Sequence, residues 1–138
     1  PNNWIFVCIK NADSYAAMYT WGNGQDQDGW RGITPASGWA SSPTATQKSA
    51  AVCKYGNIVR LRGVITGTLN VSTSVHVLTI PAAYRPDNSS NFCAALTTGG
   101  NIGWANVTNT GALQVHFKTP YTSGTTTLEL SAISYSLN

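Results

Sequence analysis

Acidic residues are the scarcest ingredient of this chain: five Asp and Glu stand against eight Lys and Arg in 138 residues. Charged residues make up 9% of it, far below the roughly 25% typical of soluble domains. Ser, Thr, Asn and Gly fill the space, giving a surface that is polar but neutral. Such a surface suits packing against copies of the same chain or against neutral ligands such as sugars. The formal net charge of +3 reflects the shortage of acids, and Arg60 and Arg62 are the only close pair of arginines. A nucleic-acid binder shows a denser basic stripe, so no nucleic-acid partner is expected. A phosphate-bearing ligand is compatible with this balance.

Cysteine is nearly absent too. Cys8, Cys53 and Cys93 have no short spacing between them, which excludes a disulfide framework and a zinc site. Each sits among apolar residues, as a small buried hydrophobe does, and this favours folding in a reducing compartment. Asn70, Asn88 and Asn106 head Asn-X-Ser/Thr triplets, which chance supplies in a chain so rich in Ser and Thr. No apolar run approaches the roughly 18 residues of a membrane-spanning helix, so no membrane insertion is expected. The chain opens on PNNWIFVC without a methionine and reads as a piece of something longer.

The shortage of acids also narrows the chemistry. Glycoside hydrolysis needs two carboxylates roughly 5 to 9.5 Å apart. Asp26 and Asp28 share a loop, while Asp13, Asp87 and Glu129 are isolated in sequence. There is no Gly-X-Ser-X-Gly elbow, and TTGGNIG lacks the Lys and the helix of a phosphate loop. QDQDG resembles the start of a calcium loop but lacks one acid and the closing Glu. We expect neither catalysis, nor a resident metal, nor a cofactor.

What is present reads as β-structure. In NIVRLRG, Val59 and Leu61 face one way while Ile58, Arg60 and Arg62 face the other. In LQVHFK, Leu113, Val115 and Phe117 alternate with Gln114, His116 and Lys118. Leu128, Leu130 and Ala132 share a face, and the apolar parity then moves to Ile133, Tyr135 and Leu137, as at a β-bulge. AAVCKY (50–55), VHVLTI (75–80), NFCAAL (91–96) and IGWANV (102–107) are further strands. Turn residues separate them: YGN, PAAYRPDNSS, TTGGN, TNTGA and TPYTSG. The spacing predicts an all-β, antiparallel sandwich or jelly roll. DSYAAMYTW (13–21) reads as strand or loop. WIFVCI is apolar on both faces, which predicts a strand buried on both sides, with a neighbouring subunit as one possible cover.

TWGNGQDQDGW (20–30) holds two of the five acids and two of the five tryptophans. Aromatic rings stack on the apolar face of a pyranose, and neighbouring polar groups bind its hydroxyls. Trp21, Asn23, Gln25, Asp26, Asp28, Trp30 and Arg31 supply those types. The alternative is that both tryptophans are core or interface residues. His116, predicted outward beside Gln114 and Lys118, is the better ligand-contacting histidine. His76 shares a face with Leu78 and Ile80 and reads as partly buried and hydrogen-bonded. Trp104 alternates with Ile102, so core packing is its expected fate.

From residue 37 the order of motifs is distinctive: SGW, then AAVCKYGNIVRLRGVITGTL (50–69), LTIPAAYRP (78–86), and GALQVHF followed by TTTLELSAISYSLN. This order resembles a repeated pattern of bacteriophage tail-fibre and baseplate receptor-binding proteins. There a "GW" strand leads to "Y-x-K-x-G-N-x-V-x-L-x-G-x-I", then "L-P-x-G-Y-R-P", then a strand ending on Ile-Ser-Tyr/Phe. The resemblance covers roughly three quarters of the chain. It departs at Ala83, where the pattern has Gly; a positive φ there would require a different turn.

The resemblance implies a C-terminal head domain, usually a homotrimer on a stalk, that binds saccharide on the host surface. It implies a segment 1–36, variable with receptor and packed on the same domain, followed by a head over 37–138. The partners implied are host cell-wall or capsular polysaccharide, two further copies of the chain, and tail or baseplate proteins reached through a missing N-terminal part. The location implied is the virion's tail tip or baseplate, after folding in the bacterial host cytoplasm. The expected contacts are Trp21, Asp26, Asp28, Trp30 and Arg31, with His116 and Trp104 next. The rivals are a structural trimerising or accessory module without a ligand, a depolymerase tip, and a cellular lectin of similar fold.

Overall fold

Strand β4 (Ile58–Arg62) shows how the sequence builds the fold: Val59 and Leu61 are buried while Ile58 and Arg60 are exposed. The computed structural model describes residues 29–43, 48–88, 90–118 and 122–138. The chain divides into two units, Pro1–Arg31 and Gly32–Asn138. The expectations for WIFVCI, for DSYAAMYTW and for most of TWGNGQDQDGW fall outside the described residues.

The larger unit is antiparallel β-structure in two sheets. A four-stranded sheet has the order β1-β3-β4-β11, where β1 is Arg31–Gly32, β3 Ala51–Tyr55 and β11 Ser134–Ser136. A seven-stranded sheet runs β2-β5-β10-β7-β8-β9-β6. Its strands are β2 (Trp39–Ser41), β5 (Val64–Leu69), β6 (Val75–Thr79), β7 (Asn91–Thr97), β8 (Ile102–Val107), β9 (Ala112–His116) and β10 (Gly124–Glu129).

The larger sheet nearly closes on itself. Pro35 bridges Leu78 of β6, and the Ala36 N–H donates to the Val77 carbonyl at 2.9 Å. The residues leading into the first strand of the sheet therefore reach the last. Closure leaves few free strand edges, which otherwise invite pairing with other chains. The expected sandwich is thus an all-β fold with a barrel-like main sheet.

Two devices carry the chain between sheets. The first is Gly63 between β4 and β5. Its φ is +101°, and a Cβ there would run into the Ser49 backbone, so only glycine fits. The second lies where the apolar parity changes after β10. A 3-10 turn over Leu130–Ala132, not a β-bulge, shifts the register and delivers Tyr135 and its neighbours to the four-stranded sheet.

The core joins residues of both sheets, among them Val52, Val59, Leu61, Ile65, Leu69, Leu113, Val115, Phe117, Leu128 and Leu130. Each such aliphatic or aromatic side chain contributes about 1.5–3 kcal/mol by leaving water. Trp39 is packed over Gly67, its cross-strand partner, where any Cβ would collide with the indole.

The β3–β4 hairpin turns through Gly56-Asn57, with Tyr55 paired to Ile58, as the YGN signal predicts. After Pro81, Ala82–Tyr84 form a 3-10 turn. Ala83 is therefore helical and needs no positive φ, so the departure from the Gly of the pattern is harmless. Buried Tyr84 accepts a 2.7 Å hydrogen bond at its carbonyl from the Tyr135 hydroxyl. The Arg85 Nε donates to the Ile80 carbonyl at 2.9 Å. The YRP corner is thereby tied to the last strand and to the end of β6.

Candidate functional site

The outer face of β7, β8 and β9 carries the most unusual surface among the described residues. Inward positions of β8 are small: Gly103, Ala105 and Val107. At Gly103 a Cβ would run into the His116 carbonyl oxygen and the buried ring of Phe117. The large residues of this strand, Ile102 and Trp104, are left outside. This corrects the expectation that Trp104 packs in the core: it is 36% exposed.

Register then brings three rings together. Ala94, Trp104 and His116 are directly opposite one another across β7, β8 and β9. Trp104 and His116 stack, with centroids 4.9 Å apart and planes 12° apart. Phe92, 68% exposed, meets Trp104 edge-on at 5.5 Å and 70°. The neighbouring row is polar and neutral: Asn106 and Gln114 lie opposite each other, and His76 lies opposite Gln114. The Asn106 Oδ1 accepts the Asn91 N–H at 3.1 Å, which holds that side chain in place.

His116 is half-buried, and its buried Nδ1 has no hydrogen-bond partner among the described residues. His76 differs from expectation. A register shift between His76 and Leu78 turns both Val77 and Leu78 into the core and puts His76 outside. It is hydrogen-bonded, as expected: Nε2 lies 3.0 Å from the Leu78 carbonyl oxygen and 3.2 Å from the Thr79 hydroxyl.

Of the residues expected from sequence, Trp104 and His116 are thus brought into contact. Trp30 is half-buried, and Arg31 is exposed at the start of β1. Trp21, Asp26 and Asp28 lie outside the described residues. Phe92 was missed, because NFCAAL is apolar on both faces and gives no parity. The buried Ala95 and Thr97 of the same strand set it.

The two described thiols are packing residues. Cys53 is buried. Burial pushes the Cys93 thiol up to about 11, although a hydrogen bond from the Ser134 backbone opposes the shift. Burial first, and the neighbouring Cys93 second, also raise the Tyr135 hydroxyl. Among the described residues no cluster of His, Cys, Asp and Glu is arranged to hold a metal ion, and no helix is long and apolar enough to cross a membrane.

No family model matches the chain, and no curated protein matches it. Solved structures do. The receptor-binding protein of Listeria phage PSA aligns with a TM-score of 0.53 and 19% identity over 77% of this chain. The chain spans 62% of that protein's length. The head domain of phage bIL170, described among the receptor-binding domains of lactococcal phages, aligns with a TM-score of 0.55 and 22% identity. That alignment covers 79% of this chain and 97% of the head domain. The fold of this chain is the fold of phage receptor-binding head domains.

Proposed function

We propose that this chain is the receptor-binding head of a phage tail fibre or baseplate, and that it reversibly binds saccharide of the host cell surface, cell-wall or capsular polysaccharide. The head acts as a homotrimer on the virion, attached through sequence N-terminal to it. The fold likeness supports a head domain. The observation that carries the ligand class is the exposed Trp104–His116 stack with Phe92 edge-on, bordered by the amides of Asn106 and Gln114 on strands that hold no Lys or Arg. A flat aromatic surface beside neutral hydrogen-bonding groups matches a pyranose, which has an apolar face and a rim of hydroxyls.

The activity is binding and not cleavage. The described acids, Asp87 and Glu129, stand in a turn and on β10, and neither is in the row of Trp104. A single site of this size is weak, and three sites per head, with many heads per particle, multiply avidity. TWGNGQDQDGW stays a proposed second contact, through Trp21, Asp26, Asp28, Trp30 and Arg31.

Tryptophan fluorescence during titration with purified cell-wall polysaccharide from candidate hosts tests this reading. Saturable quenching by one host's polysaccharide, lost in Trp104→Ala and kept in Trp30→Ala, is the expected result. Loss only in Trp30→Ala moves the site to the loop. Release of reducing ends would make the chain a depolymerase, and no response to any polysaccharide would favour a structural module.

A further inference from the structure

The stacking geometry fixes how the rings of the barrel face stand. Trp104 and His116 are opposite each other on neighbouring strands, and neighbouring strands lie about 4.8 Å apart. Their ring centroids are 4.9 Å apart, with planes 12° from parallel. Two rings lying flat on the sheet would be coplanar, and an indole and an imidazole do not fit side by side at that distance. Both rings therefore stand upright, face to face across the gap between β8 and β9. The buried Nδ1 of His116 fits the lower edge of such a ring.

The stack occupies one face of each ring. The free face of Trp104 looks over β7, where the residue opposite is Ala94. Ala94 is exposed. Its neighbours on the same face of the strand, Phe92 before it and Leu96 after it, are large. Phe92 meets Trp104 at 70°, so the two rings make a corner beside the Ala94 methyl, which is the floor. β10 pairs with β7 only at Thr97 and Leu96, so no β10 residue is paired opposite Ala94, and the slot is open on that side.

The C–H groups of a pyranose seek the negative face of an aromatic ring and not its positive edge. The top of the stack offers edges, and the indole is the larger and more electron-rich of the two rings. We propose that a neutral pyranose stands in this slot, one face against Trp104 and its lower edge on Ala94, and that His116 is a positioning residue. His116 holds Trp104 upright from behind and feels the sugar only through the ring it stacks on. The proposal rests on the saccharide reading above and gives the sugar its place and pose. Strands β7, β8 and β9 carry no Lys, Arg, Asp or Glu, so they offer a charged sugar no ionic partner. Ala94 sets specificity, because a larger side chain there fills the space the sugar needs.

Titration of the full chain with cell-wall polysaccharide from a responsive host, read by tryptophan fluorescence, tests the slot. Ala94→Phe fills it and should weaken binding by about tenfold or more, with melting unchanged because the position is exposed. His116→Phe keeps a flat ring behind Trp104 and should bind as the wild type does. His116→Ala removes that ring and should bind more weakly. Full binding by Ala94→Phe overturns the proposal. So does a His116→Phe as weak as His116→Ala, which makes the imidazole itself a contact. If a variant fails to fold, the wild type decides by NMR. Intermolecular NOEs are expected from sugar ring protons to the Ala94 methyl, and NOEs to the His116 ring with none to Ala94 overturn the slot. The two readings fail differently: quenching of wild type and Ala94→Phe alike sinks the slot alone, and a wild type that no polysaccharide quenches sinks the receptor site and the slot with it.

Discussion

The two sheets of the larger unit divide charge between them. Within this unit, the strands of the four-stranded sheet carry Lys54, Arg60 and Arg62 and no acid. The strands of the barrel-like sheet carry no Lys or Arg and one acid, Glu129. The barrel-like sheet nearly closes through Pro35 and Leu78 and so exposes little backbone that needs a charged guard. Its outer face is free to carry Phe92, Ile102 and Trp104. The smaller sheet is open, with short edge strands, and cations keep an open sheet soluble. Among the described strands, cations thus lie on one sheet and the exposed aromatic residues Phe92 and Trp104 on the other.

The largest expected effect breaks the barrel and spares the smaller sheet. Gly67→Leu forces Trp39 out of its packed position and should cost about 3 kcal/mol or more, read as a lower denaturant midpoint. Gly56→Ala in the hairpin turn should cost only about 1 kcal/mol, since nothing stands near a Cβ there.

Tyr135→Phe cuts the bond that ties β11 to the Tyr84 carbonyl and leaves that carbonyl without it, a loss of about 1–3 kcal/mol in chemical denaturation. The same region governs alkaline sensitivity. In the unfolded chain the Cys93 thiol ionises near 9.0, and burial raises it to about 11 in the folded protein. The unfolded state therefore releases its proton first, and stability falls as pH rises through that window. Tyr135, raised in the same direction, extends the fall further. Melting temperature should decline across the window, and Cys93→Ala should flatten its early part. Alkylation of Cys93 at neutral pH should be slow until the protein unfolds, because the thiolate is the reactive form.

The smallest effect on stability belongs to the proposed site. Trp104→Ala removes a partly exposed ring and should cost less than about 1 kcal/mol, while lowering saccharide affinity about tenfold or more. Should Trp104→Ala instead unfold the protein, the barrel's outer aromatics are structural and the division between the sheets loses its functional meaning.

Most of the strands were legible in the sequence because one-sided burial gives clean alternation, as in IVRLR and ALQVH. The barrel closure was not, because Pro35 and Ala36 reach β6 by backbone bonds that leave no side-chain pattern. The parity change near Ser131 was legible, but a bulge and a 3-10 turn shift parity alike. Trp104 misled for a different reason: alternation marks two faces and does not say which is inside. Phe117, reaching over Gly103, makes the inner face of β8 the small one. His76 was misplaced by a register shift that sequence does not announce. The His116–Trp104 contact joins residues from two strands, and only register brings them opposite.

Chemical-shift mapping of the five tryptophan indole N–H signals and the histidine rings, during titration with polysaccharide from a responsive host, tests the saccharide platform most directly. Trp104 and His116 are expected to shift together and saturate at one affinity, while Trp39 beneath the barrel surface does not move. Saturable shifts confined to other indoles, with Trp104 and His116 unmoved, would contradict it.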